Sequence, residues 1–318
     1  MYLISLQIIA ALFLNMTYEN VLTGNRSNIP ITFQPPTTPY VLGVVFSILA
    51  IVLNGFLLLV MVKERTVFFH TRVSYFVINL AVADCLTGVS LTYLELRELL
   101  KLKTHPALIP MVVLFNWTTV QCSFFTLLLM SVNWLIMVLY PLRWSNILTV
   151  RRTLTSVAAV WLVSIAGGVM LHFHKAATQL VILSFVELCT LLFICNSLFI
   201  YPVLRKREQC RYKSGDPSQS FERPPPTFRD KMSTVVVILM VVLIVTQLPF
   251  VTCFQIILAD SLFDKNVSQK IDVFSLYQAY SYTQAFACLN FVVNPIVYAW
   301  RIRTYRKAFT RTLKCCNN

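Results

Sequence analysis

The sequence predicts an all-α membrane protein: a bundle of seven transmembrane helices with a short amphipathic C-terminal surface helix. Three observations carry that expectation. First, the 318 residues are 57% hydrophobic and only 13% charged, about half the roughly 25% of an ordinary soluble domain. Second, seven apolar stretches, each near or above the roughly 20 residues that cross a bilayer, run at about 40–62, 72–95, 107–139, 153–173, 177–204, 232–259 and 273–300. Third, all 27 Lys and Arg residues fall between those stretches or at their ends. A water-soluble globule of this size could not hide so much apolar surface, and mean hydropathy is +0.69. Soluble enzymes, disordered regulators and disulfide-stapled modules are excluded on that ground. Seven glycines are too few for the turn-rich pattern of a transmembrane β-barrel.

Residues 1–39 form an extracellular N-terminal segment, 40–300 the seven-helix domain and 301–318 a cytoplasmic amphipathic helix and tail. Residues 1–14 are apolar enough for a signal peptide, but lack a positive n-region and an evident small-residue cleavage site. Orientation follows from charge. Twenty of the basic residues lie in alternate segments that include the C-terminal tail, and seven in the others. Basic loops stay in the cytoplasm, so the N-terminus lies outside and the C-terminus inside, at the plasma membrane. The excess of cations, a net charge of +14, therefore addresses membrane lipids and not nucleic acid. Acceptor motifs for N-glycosylation at Asn15, Asn25 and Asn266 all fall on the outer side. Asn116-Trp117-Thr118 also matches but lies inside span three. None of the nine cysteines falls in an outer loop, so no disulfide framework is expected there.

Polar residues at membrane depth are costly and invite a function. Asp84 is central to span two, with Asn54 in span one, Ser123 in span three and Asn290 and Asn294 in span seven at similar depth. Two readings fit: a hydrogen-bonded knot that holds helices together, or a carboxylate with neutral oxygens that holds a small monovalent cation. Spacing alone favours the knot. Asn116, Trp117, Val120 and Gln121 in span three, Glu187 in span five, and Gln247 and Phe250 in span six are candidates to line an outer ligand cavity. His172 and His174 are two apart and occupy different helix faces, so no metal site is expected. Pro249 and Pro295 interrupt spans six and seven and kink them. In the tail, Ile302, Tyr305, Phe309 and Leu313 follow helical spacing and are expected to face lipid. Arg303, Arg306, Lys307, Arg311 and Lys314 supply attraction for anionic lipid. Cys315-Cys316 directly after them is a candidate palmitoylation pair.

These residues resemble the rhodopsin-like (class A) G-protein-coupled receptors. The likeness rests on Asn54, on Leu80-Ala81-Val82-Ala83-Asp84, on Trp161, on Pro249 and on Asn294-Pro295-Ile296-Val297-Tyr298. The resemblance implies a receptor and not an enzyme, with an extracellular ligand and a heterotrimeric G protein as partners. It also implies a sodium ion at Asp84, Ser123, Asn290 and Asn294, which favours the ion over the knot. Activation and coupling would involve Tyr201, Pro249, Asn294, Pro295, Tyr298 and the end of span three. There the family's Asp/Glu-Arg-Tyr reads Asn133-Trp134-Leu135. The span-six aromatic switch is replaced by Gln247, and the cysteine that ties span three to the second outer loop is absent. Missing disulfide, short outer loop and missing span-five proline together are similar to the melanocortin, cannabinoid and lysophospholipid receptors. The matching position for an amine-binding aspartate is Asn116, and span seven has no lysine for retinal. Small apolar, lipid or peptide ligands remain. Two rivals stand beside this expectation. One is a receptor-like protein that binds ligand or a partner receptor without conventional coupling. The other is a transporter or channel, which the apolar inner half of span three disfavours. Trp134 is expected to sit where the tail of a G protein would insert.

Overall fold

The computed structural model describes residues 37–69, 72–103, 105, 107–140, 143–173, 178–192, 194–195, 198, 228–262 and 273–316. The helices are α1 Thr37–Lys63, α2 Arg72–Leu99, α3 Leu108–Leu139, α4 Val150–Phe173, α5 Thr178–Leu192, α6 Phe228–Leu262, α7 in two pieces (Val273–Ala287 and Leu289–Arg301) and α8 Arg303–Cys316. One-turn helices at Arg65–Phe68 and Trp144–Ile147 lie in the loops after α1 and α3, at the end of the bundle that carries α8 and that the charge pattern labels inner. The architecture is the expected all-α seven-helix bundle with a C-terminal helix. Five helices (α1, α2, α3, α4 and α6) are long and apolar enough to cross a bilayer alone, and α7 bends by 99° into α8. The described part of α5 is apolar but shorter.

Why these segments sit in lipid is visible in α1. Gly43, Ser47, Ala50, Asn54, Leu57 and Met61 are buried at steps of three and four residues, the spacing of one helix face. The opposite face is equally apolar, with Val52, Leu59 and Val62 exposed. An apolar face without a protein partner is what a bilayer covers. α2 and α3 are the central helices, whereas α4 touches the bundle chiefly through α3.

α2 ends with a Schellman cap. The Leu102 amide donates to Arg97 O at 3.0 Å, the Lys101 amide donates to Glu98 O at 3.4 Å, and Lys101 takes φ 51°. That left-handed conformation is one glycine adopts freely and lysine does not.

The core has two apolar clusters. The inner one holds Leu57, Leu80, Met130, Trp134, Leu239 and Tyr298, and the outer one Ile109, Trp117, Phe250, Phe254 and Tyr280. Between them along the helices lie the buried polar side chains Asn54, Asp84, Ser123, Asn290 and Asn294.

The C-terminal helix corrects one expectation. α8 is amphipathic as predicted, but Ile302 and Tyr305 do not face lipid. Both are buried against the bundle, together with Ala308 and Thr312. Tyr305 packs on Phe68 at 4.7 Å and stacks on Tyr298 at 5.7 Å, and Phe309 stacks on Phe56 at 5.2 Å. Burial holds the Tyr305 phenol well above its usual pKa. Only Leu313 of the predicted apolar stripe is exposed. A one-faced pattern says that a helix covers its stripe, not whether lipid or protein covers it. Here the inner end of α1 and the first inner loop supply the cover.

Candidate functional site

The polar layer is built by helix-face arithmetic. Asp84 lies on the face of α2 that also buries Thr87, Leu91 and Glu95. Ser123 lies on the α3 stripe that buries Asn116, Met130 and Trp134. Asp84 is fully buried, and both its oxygens are engaged. Ser123 Oγ donates to Oδ1 at 2.5 Å, and Asn294 Nδ2 donates to Oδ2 at 2.6 Å. α2, α3 and α7 are thereby tied at one carboxylate.

The surrounding oxygens are less well served. Oδ1 of Asn54, of Asn290 and of Asn294 is buried with no hydrogen-bond donor. A buried unpaired polar atom costs about 1–3 kcal/mol, so these three acceptors, one of them on the Asn294 amide that binds Asp84, would each gain from a cation or a water. The donor set, one carboxylate, one hydroxyl and several amide oxygens, is the hard-oxygen chemistry that suits an alkali cation.

Asn54 shows how a proline is accommodated. Pro295 has no N–H, so the carbonyl four residues before it, Phe291 O, loses its helical donor. Asn54 Nδ2 donates to that carbonyl at 2.8 Å. The break inside α7 works the same way. The Phe291 amide donates to Cys288 O at 3.2 Å rather than to Ala287 O. Ala287 O is left to accept from Gln247 Nε2 of α6 at 3.1 Å. Gln247 therefore links α6 to α7 where the resemblance led one to expect an aromatic ring. A separate chain of bonds joins α2, α3 and α4. Asn79 Nδ2 donates to Thr126 Oγ1 at 2.8 Å, and Trp161 Nε1 donates to Asn79 Oδ1 at 2.8 Å.

The expected outer cavity is largely filled. Trp117 stacks near Phe254, with ring centroids 6.4 Å apart. Phe250, Phe254 and Tyr280 lie within 5.6–6.1 Å of one another. One space there, of about 10 Å³, is lined by Val120, Gln247, Gln284 and Phe291 among others, room for about one water. Asn116 is fully buried and accepts from Ser90 Oγ at 2.8 Å. Gln121 lies elsewhere. Its Oε1 would be 2.1 Å from a Cβ on Gly167, so its amide packs into the notch which that glycine leaves on α4. Glu187 is half-buried on α5. Asn15, Asn25, Tyr201 and Asn266, together with the side chains of Cys315 and Cys316, lie outside the described residues.

Trp134 is a second correction. It is 2% exposed and belongs to the inner apolar cluster, so it does not occupy an open mouth at the inner face. Asn133 beside it is also buried, with its Oδ1 unpartnered. The indole is apolar over its eight ring carbons, and burial removes that surface from water and headgroups.

Glu95 is the residue that sequence reasoning missed. It is 5% exposed and accepts from Gln284 Nε2 at 2.9 Å. Gly43 makes the space: a Cβ there would lie 2.9 Å from Glu95 Cδ. Pro39, Tyr40, Glu95, Ser281 and Gln284 line a second small cavity at the outer ends of α1, α2 and α7. A signal was available. Glu95 follows Asp84 by eleven residues, three helical turns, which puts both acids on one face.

Residues 53–180 match the family described as 7 transmembrane receptor (rhodopsin family). The chain is 22% identical over 314 residues to melanocortin receptor 5 of Mus musculus, covering 96% of this chain and 93% of the mouse protein. It is 24% identical over 257 residues to the Homo sapiens melanocortin receptor 5, covering 78% and 75% of the two chains. It is 24% identical over 274 residues to melanocortin receptor 4 of Danio rerio, covering 83% and 79%. Together with the seven-helix bundle, these matches make the chain similar to rhodopsin-family seven-transmembrane receptors, the melanocortin receptors among them.

Proposed function

We propose that the protein is a plasma-membrane receptor whose resting state is held by a sodium ion at Asp84, Ser123, Asn290 and Asn294. Its N-terminus lies outside and its tail inside. The observation that carries the ion is the surplus of buried acceptors in the polar layer that holds Asp84: the amide oxygens of Asn54, Asn290 and Asn294 lack donors, and Asn294 itself binds Asp84. The ion would supply positive charge to a carboxylate that has only neutral donors. Agonist binding shifts a two-state equilibrium toward an inner end opened at α5 and α6, and by linkage sodium and agonist weaken each other equally. The ligand enters among the outer ends of α1, α2, α3, α6 and α7. Glu95 and Gln284 there favour a peptide or small molecule with a cationic or hydrogen-bond-donating group. To admit it, the aromatic cluster of Trp117, Phe250, Phe254 and Tyr280 has to part.

The test needs no ligand. The purified receptor should unfold at a higher temperature in sodium than in choline of equal ionic strength, as expected for a species that binds only the folded state. Asp84→Asn should remove the difference. Equal unfolding temperatures in the two salts for the unmodified protein would leave Asp84 as a hydrogen-bonded knot.

A second reading concerns output. Trp134 has one N–H and no charge, and Asn133 offers no acid, so the position lacks the five-donor planar cation of arginine. Coupling to a heterotrimeric G protein is therefore weak, or the protein binds ligand without conventional coupling. Basal nucleotide exchange on purified G proteins should be low, and Trp134→Arg with Asn133→Asp should raise it several-fold. High exchange by the unmodified chain, indifferent to Trp134→Ala, would overturn this.

A further inference from the structure

The basic face of α8 and the first inner loop meet at one acid. Glu64 sits between Lys63, the last residue of α1, and Arg65, the first of the one-turn helix that follows. Its Oε2 takes Arg311 Nη1 of α8 at 3.4 Å, with the arginine side chain 63% exposed and the glutamate 20%. Lys307 and Lys314 lie four before and three after Arg311, on the same helix face, and both are exposed, as are Lys63 and Arg65. One ion pair thus joins two basic segments: Lys63 and Arg65 flank Glu64 in the chain, and Lys307 and Lys314 flank Arg311 on its helix face.

The same packing that buries Ile302 and Tyr305 removes most of the apolar face of α8 from the bilayer. Hydrophobic insertion is therefore largely unavailable to this helix, and charge must supply its attraction to the membrane. The place is right for that. α7 turns by 99° into α8, so the helix runs along the inner surface, and Trp300 at the turn is 66% exposed, as a residue of the interfacial aromatic belt would be.

We infer that Lys63, Arg65, Lys307, Arg311 and Lys314 form a binding site for the polyphosphorylated inositol headgroup of an inner-leaflet lipid. The inference rests on the inward placement of the tail argued above. Clusters of four to eight basic residues just inside a transmembrane helix attract anionic lipid. A headgroup with one net charge neutralises one of these five cations at a time. Several phosphates on one ring engage several in a single event, and each further contact is made at high effective concentration. Arg311 offers a planar fork that fits phosphate with two parallel bonds. Its present pairing is a single 3.4 Å contact in which the arginine side chain is 63% exposed, so it yields easily, since solvent-screened ion pairs contribute little. Glu64 then acts as a placeholder: it orients Arg311 in the empty site and is displaced by phosphate.

The test uses the full chain in phosphatidylcholine nanodiscs and a soluble short-chain phosphatidylinositol bisphosphate as probe. The unmodified protein should bind the probe with an affinity that falls steeply with salt. Lys307→Gln with Arg311→Gln should weaken it roughly thirtyfold. Glu64→Gln, which removes the competing carboxylate at a surface position, should tighten it roughly fivefold. Arg151→Gln with Arg152→Gln, on a different inner loop, should change nothing. Binding that is equal for nanodiscs carrying phosphatidylserine at matched charge would mean diffuse attraction only and would overturn the site. So would Glu64→Gln weakening the probe, or soluble inositol trisphosphate failing to compete. An epitope tag on the tail, tested for access in intact cells, checks the orientation separately, so failure of the site and failure of the receptor reading give different results.

Discussion

Ser123 of the polar layer and Trp134 of the inner cluster lie on the same α3 stripe, three helical turns apart, yet the two places are built by opposite means. At Asp84 a buried carboxyl is retained, donors reach both its oxygens, and the same layer holds amide oxygens without donors. At Trp134 the two positions that the family fills with an acid and an arginine carry an amide and an indole, and burial in apolar side chains replaces the ion pair. The first arrangement has a carboxylate and unpaired oxygens to offer a small cation; the second has no charged group to offer. The difference teaches that this chain has the polar layer but lacks the acid and arginine that the resemblance would place at the end of α3. The resting seal there is made by packing, so its strength scales with buried area and not with ionic strength.

The largest expected effect tests that seal. Trp134→Ala opens a cavity among Met130, Leu239 and Tyr298 and should lower unfolding stability by about 3–5 kcal/mol. A tryptophan lining an open mouth would cost within about 0.5 kcal/mol on truncation, so a small change would return Trp134 to the position first expected of it. Salt should leave the effect unaltered.

Next in size is the accommodation of Pro295. Asn54→Leu strands Phe291 O and should cost about 1–3 kcal/mol. The double variant Asn54→Leu with Pro295→Ala restores an N–H that can reach that carbonyl, and should recover most of the loss. A cycle in which the two substitutions add would show that they do not share Phe291 O. Gln247→Leu probes the matching link between α6 and α7. Its loss should cost about 0.6–1.7 kcal/mol, the range of interhelical hydrogen bonds in bilayers. It should also shift the equilibrium between resting and opened inner ends, read as altered spacing between labels on α6 and α7.

How much of this was legible in the sequence depends on what each signal encodes. Hydropathy located the spans because lipid contact makes both faces of a helix apolar, a pattern soluble helices lack. Depth located Asp84, Ser123, Asn290 and Asn294 because polar residues there are rare. Orientation around the helix axis was harder. Gln121 is one residue from Val120 and was grouped with it, but that single step turns it by about 100° onto the notch at Gly167. Glu95 was passed over because it stands near a span end, where an acid is unremarkable; only the glycine opposite it on α1 makes its burial possible. The stripe of α8 was plain in the sequence, and its partner was not, since Phe56 and Phe68 lie some 240 positions away in the chain.

The smallest effect belongs to Lys101, and it sharpens the contrast from outside the core. The cap of α2 demands a left-handed residue at that position, and lysine meets the demand at φ 51°. A Cβ in that conformation crowds the following carbonyl, which costs roughly 1–2 kcal/mol. Lys101→Gly removes the crowding but adds freedom to the unfolded chain, which returns about 0.5–1 kcal/mol of the gain. The net expectation is a stabilisation of about 0.5–1 kcal/mol, read as a raised unfolding midpoint. Lys101→Ala keeps the Cβ and should give no gain, so the pair of variants separates backbone strain from the loss of a surface charge. Glu95 sits six residues before this cap on the same helix, so a firmer α2 terminus should also hold its bond to Gln284 more tightly. If Lys101→Gly is neutral while Lys101→Ala stabilises, charge and not conformation governs the site, and the outer end of α2 is less rigid than the hydrogen bonds of its cap imply.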